Sequence, residues 1–187
     1  MTFLYGYLTY WIVSCAGITY GYHRYFSHRA FNANSFVEVL LLYLGLLCGG
    51  RSALTWSGVH RMHHAYSDTD RDPHCRKNNP WYVILLSLWR VETIPRKFIK
   101  DLLRNPRVMF FHKYGIYILV AHWIITFLTF GWNAVIINTM LIVLSYLGFG
   151  VLNLFGHDLR GPVNNFWINL LAPLEGNHKD HHEISQR

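Results

Sequence analysis

Three short histidine boxes, each beside a hydrophobic stretch, constrain this chain more than any other feature. They read His23-Arg-Tyr-Phe-Ser-His28, His60-Arg-Met-His63-His64 and His178-Lys-Asp-His181-His182, and they hold eight of the twelve histidines. Neutral imidazole is the commonest protein ligand for first-row metals. Eight imidazoles exceed what one four-coordinate zinc can take. Two metal ions sharing the boxes is the simpler reading. The fold must then bring three segments, distant in sequence, to one place.

The composition is that of a membrane protein. Apolar residues make up 52% of the chain and charged residues only 14%, against roughly 25% charged in soluble domains. The net charge of +7 does not indicate nucleic acid, because the basic residues alternate with apolar runs and form no nucleic-acid module. It reads as positive charge on loops beside membrane spans. Cys15, Cys48 and Cys75 are odd in number and include no Cys-x-x-Cys, which argues against a disulfide framework or a thiolate zinc site. Cys75 beside His74 is a minor ligand candidate. The first apolar stretch has no basic n-region and runs directly into the first box, so it is not read as a cleavable signal.

Four stretches are apolar enough to consider as spans: Thr2 to about Tyr22, Phe36 to Trp56, about Tyr114 to Phe130, and about Asn133 to Phe155. Gly131-Trp132-Asn133 is a short turn that makes the last two an antiparallel hairpin. Trp81 to Trp89 is too short to span and reads as an interfacial segment. If the boxes share metals, all three lie on one side of the membrane. The hairpin leaves that side and returns to it. A crossing by the second stretch would strand the first box on the opposite face. That stretch carries Glu38 and Arg51, each costing about 2.5–3.5 kcal/mol at a helix centre, and Gly49-Gly50 weakens it further. It is therefore expected to lie along the face or dip in and return, leaving three spans. All 17 Lys and Arg then fall on the box side, which the positive-inside rule places in the cytosol. The predicted fold is an all-α, integral membrane helical bundle with a histidine-rich di-metal site on its cytosolic face.

His60, His63 and His64 stand at i, i+3 and i+4, as do His178, His181 and His182, so each set shares a helix face. His23 and His28 are about 140° apart on an ideal α-helix and would flank a site at a helix end. Asn153 and His157 add an i, i+4 pair at the box-side end of the last span. His157 is a further candidate ligand, and Asn153 a candidate to hold a metal-bound water or to make a helix-capping bond. The zinc-protease pattern His-Glu-x-x-His is absent. Only Glu175-Gly-Asn-His178 has the Glu-x-x-His spacing of soluble di-iron bundles. A nitrogen-rich site of this kind suits iron or zinc rather than magnesium or calcium. Zinc has no redox chemistry. Iron does, and membrane burial points to an apolar substrate.

Box one with Arg29, and box two continuing as Ala-Tyr-Ser-Asp68-Thr-Asp70-Arg-Asp72-Pro73-His74, resemble the first two boxes of membrane fatty acid desaturases, most of all the delta-9 acyl-CoA and acyl-lipid type. Asn153-x-x-x-His157 and His178-x-x-His181-His182 are similar to that family's later ligands. The resemblance runs from about Thr9 to His182. It implies two Fe2+ ions, one held by His23, His28, His60, His64 and His181, the other by His63, His157, His178 and His182 with Asn153 acting through water. It implies that dioxygen is activated there and that two hydrogens leave adjacent acyl methylenes, giving a cis double bond. The metal centre would supply the chemistry, while the protein positions the chain. Trp56 resembles an acyl-lining residue, and Asp68, Asp70, Asp72, His74 and Glu175 resemble groups that orient ligands or order the loop. His112 and His122 match nothing in the pattern and read as structural.

The resemblance implies a fatty acyl substrate (acyl-CoA or acyl-lipid), membrane lipid, O2, and an external electron donor of the cytochrome b5 or ferredoxin type. The membrane would be the endoplasmic reticulum in a eukaryote and the plasma or thylakoid membrane in a bacterium. Residues 1–187 are expected to form one domain, without an N-terminal span and a C-terminal cap that the family carries. Lys179 stands where the family pattern has Asn. Two rival functions remain at this point, a related di-iron membrane hydroxylase and a non-catalytic metal-binding membrane protein.

Overall fold

In a computed structural model, which describes residues 1–75, 77–85 and 93–185, the apolar stretches become helices. α1 (Thr2–Ser14) continues without interruption into a π-wound segment, Cys15–Ser27. α2 (Ser35–Leu47) starts at Asn34, whose side chain accepts from the Val37 amide, and α3 (Ala53–Tyr66) starts at Ser52, which accepts from the Thr55 amide. α4 spans Pro80–Leu85, and two short 3-10 turns, Arg96–Phe98 and Leu102–Arg104, follow. α5 (Pro106–Phe130) has Asn105 as its cap and Pro106 in its first turn, where a missing N–H costs nothing. Gly131, at φ +62°, turns the chain into α6 (Trp132–Phe155). A two-residue ribbon pairs β1 (His157–Asp158) with β2 (Gly161–Pro162), and a 3-10 turn (Phe166–Leu170) leads to α7 (His178–Ser185).

α5 and α6 are each long and apolar enough to cross a membrane. The first helix is coextensive with α6 and runs in the same direction. Thr2 donates to Asn133, Gly6 faces Met140, and the Tyr10 hydroxyl lies beside Gly148. The first predicted stretch therefore covers the same depth as α6, although its winding changes at Cys15.

The second stretch is two helices. α2 has 13 residues, about 20 Å at 1.5 Å per residue, against the roughly 30 Å of bilayer hydrocarbon. Its start lies level with the start of α5, because Glu38 accepts from Arg107 at 2.9 Å and from Asn105 at 2.5 Å. Its end reaches the middle of α6, where Gly49 (φ +73°) faces Ile142. α3 then returns to the histidines. The stretch dips and returns, as the parity argument requires, but the electrostatic premise needs correction. Glu38 is buried and paired rather than stranded in apolar surroundings. Arg51 occupies the break between the helices, not a helix interior.

Close crossings hold this re-entrant pair. A Cβ on Gly17 would stand 2.5 Å from the backbone of Leu44 and Gly45, and one on Gly45 would enter the Tyr22 ring. Small residues allow such approach between apolar helices. Tyr10, Ile18, Tyr22, Leu42 and Val108 are fully buried around the crossing.

His122 is structural, as the sequence reading has it, and it has specific partners. Tyr43 donates to its Nδ1 at 2.7 Å, so its Nε2–H faces Asn138 Oδ1 at 3.3 Å. The Asn138 amide donates to Thr126, which donates back to the His122 carbonyl. Four side chains thereby join α2, α5 and α6. Within the predicted Trp81–Trp89 segment, α4 buries Val83 and exposes Trp81, while Trp89 lies outside the described residues.

Candidate metal centre

Nine imidazoles converge where the π-wound segment, α3, β1 and α7 meet, and they fall into two groups. His23, His28, His60, His64 and His181 form one, and His63, His157, His178 and His182 the other. Within each group the ligand atoms lie within 4.8 Å of one another. α3 and α7 each serve both groups. On α3 the i, i+4 pair His60 and His64 faces one group while His63, at i+3, faces the other. On α7 the pair is His178 and His182, and His181 crosses over. Each box's shared helix face is thus divided along a seam, where the His64 and His182 rings stack at 4.2 Å, in the grouping the family resemblance implies.

Box one differs from the expectation of a pair spread about 140° around an α-helix. The His28 amide donates to the His23 carbonyl at 3.1 Å, an i→i+5 bond. That winding stacks residues five apart, as α-winding stacks residues four apart. The two rings consequently face one group, with centroids 5.0 Å apart. His157 also departs from its expected place. α6 ends at Phe155, so β1 rather than the helix carries it.

Three carboxylates orient three of the rings. Glu175 meets His23 Nδ1 at 2.8 Å, Asp72 meets His63 Nδ1 at 2.8 Å, and Asp68 meets His157 Nδ1 at 3.1 Å. Each carboxylate fixes the proton on Nδ1 and turns the Nε2 lone pair inward. Asp72 also accepts from the Asp68 and His74 amides, which orders the loop. Asp70 is exposed on that loop, and Asp68 and Asp72 make the ring contacts instead. His74 is buried with its ring 5.5 Å from that of His63. Trp56 stacks on His60 at 5.0 Å and 21°. With Asn153, Phe149, Val83, His178 and Gly49, it lines a cavity of about 40 Å³ against both groups. Cys75 is buried and belongs to neither group. Lys179 is exposed and points toward Glu183, so the departure from the family pattern does not touch the centre.

The donor set fits metal. His63 Nε2 is buried with no hydrogen-bond partner among the described residues, a state that costs about 1–3 kcal/mol unless something satisfies it. Across the groups, Nε2 atoms approach closely: His23–His181 2.8 Å, His28–His60 2.8 Å, His64–His181 3.1 Å, His157–His178 3.0 Å and His178–His182 3.1 Å. With metal–nitrogen bonds of about 2.0–2.1 Å, nitrogens at right angles stand about 2.9 Å apart and tetrahedral ones about 3.4 Å. These short edges, inside groups whose ligand atoms all lie within 4.8 Å of one another, are those of nitrogens gathered around a common point, which fits a bound metal ion.

Burial, and then repulsion among neighbouring rings, favours the neutral form of His28, His60, His64, His178, His181 and His182. His28 and His182 are pushed down to about 3 and His181 to about 2. His60, His64 and His178 move strongly in the same direction. Neutral rings are the metal-binding form. They also make the metal-free protein acid-sensitive. Each ring takes up its proton only on unfolding, so stability holds above the unfolded value near pH 6.5 and declines below it. The loss is about 1.4 kcal/mol per pH unit for each ring until the folded value is reached. The melting temperature of the metal-free protein in detergent should therefore drop steeply from pH 6.5 to 5. A flat profile would contradict neutral burial.

Asp72→Asn should leave the fold in place and weaken metal binding by about 10- to 100-fold, because the ring loses its orienting charge. Competition with a chelator measures this directly, and unchanged affinity would refute the orienting role.

A family profile described as fatty acid desaturase matches residues 1–183. The chain is 30% identical over 189 residues to an sn-1 stearoyl-lipid 9-desaturase of Anabaena variabilis, covering 94% of this chain and 69% of that protein. It is 33% identical over 190 residues to an sn-1 stearoyl-lipid 9-desaturase of Synechocystis, covering 94% of this chain and 59% of that relative. A probable acyl-CoA desaturase of Schizosaccharomyces pombe is 39% identical over 110 residues, which are 57% of this chain and 23% of that protein. With two all-histidine groups at the ends of membrane-length helices and a match over nearly its whole length, the chain belongs to the fatty acid desaturase family.

Proposed function

We propose that this chain acts as one membrane domain that desaturates fatty acyl chains, introducing a cis double bond at the delta-9 position. The observation that carries this reading is the pair of adjoining all-imidazole groups, four and five rings strong, facing an apolar cavity. His23, His28, His60, His64 and His181 would hold one iron, and His63, His157, His178 and His182 the other. Asn153, which lines the same cavity, would act on the second through water. When bound, the two irons supply the oxygen-dependent removal of two hydrogens from adjacent methylenes. The chain's own residues do the rest. Glu175, Asp72 and Asp68 aim the imidazoles. Trp56, Phe149 and Val83 exclude water and give a straight acyl segment an apolar wall.

The two curated lipid desaturases support a lipid-linked substrate and stearoyl-type length. The boxes face the cytosol in this reading, because the basic residues cluster with them. An external donor of the cytochrome b5 or ferredoxin type supplies electrons from that side. Lys97 and Arg71 flank half-buried Tyr66 there, at the end of the helix that carries box two. Raising salt should therefore slow donor-dependent turnover. A salt-independent rate would remove this docking face.

The deciding experiment is expression in a desaturase-deficient host, followed by gas chromatography of the fatty acids. A new cis-9 monounsaturated acid is expected. A hydroxylated acid would replace this reading with an oxygenase. Bound metal exchanging without oxygen consumption would replace it with a metal carrier.

A further inference from the structure

The two imidazole groups meet the protein surface differently. His63, His157, His178 and His182 are all buried, none more than 2% exposed. In the five-imidazole group His23 alone is buried, and His28, His60, His64 and His181 are part-exposed. His28, His64 and His181 form an outer triangle, with ring centroids 4.8, 4.6 and 4.9 Å apart. Behind it, His64 stacks on His182 of the buried group at 19°. A molecule outside the protein can therefore reach the rings of one group and not those of the other.

The surface beside the triangle is basic. Arg29 follows His28 directly and is exposed. Arg96, Lys97, Lys100 and Arg104 are exposed on the turns between residues 93 and 105, where Asp101 is the single acid. That acid is already paired with Arg29 and Arg61. Arg61 holds the same turns against the end of the box-one helix, through the Phe98 and Phe26 carbonyls. Arg24 lies close enough for its charge to act on His181. Tyr66, between Lys97 and Arg71, continues this rim along α3. By contrast, the ribbon and α7 set Asp158, Asp180 and Glu183 against Arg160 and Lys179.

We propose that an acidic one-electron carrier protein seats on this basic rim and delivers its electrons through the His28–His64–His181 triangle, so that the metal of the five-imidazole group is reduced first. The assignment rests on the desaturase reading and adds where the partner sits and which group it serves. In each transfer the carrier is oxidised by one electron and that metal is reduced by one, with no bond made or broken. Electron transfer falls steeply with distance, which favours rings at the surface over rings behind them. The stacked His64 and His182 rings then join the outer group to the inner one. Lysine and arginine around the opening match carboxylates on a carrier, and such complementarity sets encounter rate and orientation. Basic residues beside a membrane also meet lipid headgroups. This rim differs from a headgroup belt because it borders exposed members of a metal-binding group.

The test uses the whole protein, iron-loaded and in nanodiscs of phosphatidylcholine, with a soluble cytochrome b5 domain and a two-iron ferredoxin as probes. Carbodiimide joins lysine amines to carboxylates in direct contact. It is expected to link a carrier to Lys97 or Lys100, and not to Lys77 or Lys179. Lys97→Glu combined with Lys100→Glu should weaken carrier binding about tenfold or more, in the metal-free protein as well. The same pair should slow carrier-driven reduction of the ferric protein far more than reduction by dithionite, which needs no seat. Lys77→Glu combined with Lys179→Glu should alter neither. Mössbauer spectra of freeze-quenched samples should show the first ferrous ion in the five-nitrogen environment. Cross-links at Lys77 or Lys179 instead, equal weakening by both pairs, a first ferrous ion in the buried group, or no binding of either carrier to the parent would each overturn the seat. Olefin formed with a carrier bound elsewhere would refute the seat and leave the desaturase reading standing. Carrier binding and reduction at the rim of a protein that makes no olefin would do the reverse.

Discussion

Replacing His63 with alanine is expected to halve the metal bound per chain and to lower the desaturated product at least 100-fold. His63 is the only member of its group contributed by α3, and it is almost fully buried. Its Nδ1 is held by Asp72 and its Nε2 points to no other partner among the described residues. Truncation removes one of four imidazoles and leaves the buried Asp72 carboxylate without its ring. Both losses favour an empty group. The five-histidine group keeps all its members, so one metal should remain. Metal analysis of the purified variant, beside gas chromatography of its host's lipids, checks both. Full metal content with full activity would show that the four-imidazole group is not a metal site.

Arg61→Ala is expected to cost about 1.5–3 kcal/mol of stability, the range for losing hydrogen bonds to a charged group, because the pair is half-buried. Arg61 lies between two histidines of box two yet contacts neither group. Its Nε donates to the Ser27 carbonyl at 2.9 Å, and Nη2 to that of Phe26 at 2.6 Å. Nη1 donates to the Phe98 carbonyl at 2.7 Å, and the fork grips Asp101 at 2.7 and 3.0 Å. One side chain therefore ties the end of the box-one helix, α3 and the 96–101 turns together. Burial opposes the Asp101 charge, but Arg61 and Arg29 outweigh it and hold this carboxyl well below the usual range. Arg61→Lys keeps the charge but cannot reproduce a planar five-donor fork, so it should recover only part of the loss. Melting temperatures in detergent measure this. An alanine variant as stable as the parent would show that the box ends are held by metal alone.

Local sequence reached the helical elements because their signals are local. Gly131 at its turn and the histidine spacing of α3 and α7 each act within one turn of chain, whereas hydropathy alone placed the third stretch at about Tyr114, inside a helix that Asn105 caps at Pro106. Parity reached further. It required Phe36 to Trp56 to return to its starting side, and the break at Gly49–Ser52 accomplishes this. Local rules failed where the chain adopts an uncommon conformation or a distant partner. α-Helical geometry misplaced His28 because residues 15–27 wind with i→i+5 bonds. Charge counting treated Glu38 as isolated because Asn105 and Arg107 lie 67 and 69 residues away. Arg61 and His122 carried no motif signal, since their partners come from separate helices.

The sequence by itself determined that this is a helical chain of membrane composition, and which histidines gather on one side of it. Period and hydropathy are properties of neighbouring residues, and the one-sidedness follows from boxes that share metals, with the crossing count then fixing the return of the second stretch. The division of nine rings into two groups was implied by the family resemblance and not by helix spacing; only the tertiary structure decided which carboxylate aims each of three rings and where the apolar cavities lie. Those features depend on distances between helices remote in sequence. Crossings as close as Gly17 against Gly45 and Gly148 against Leu171 set those distances, and no local pattern encodes them.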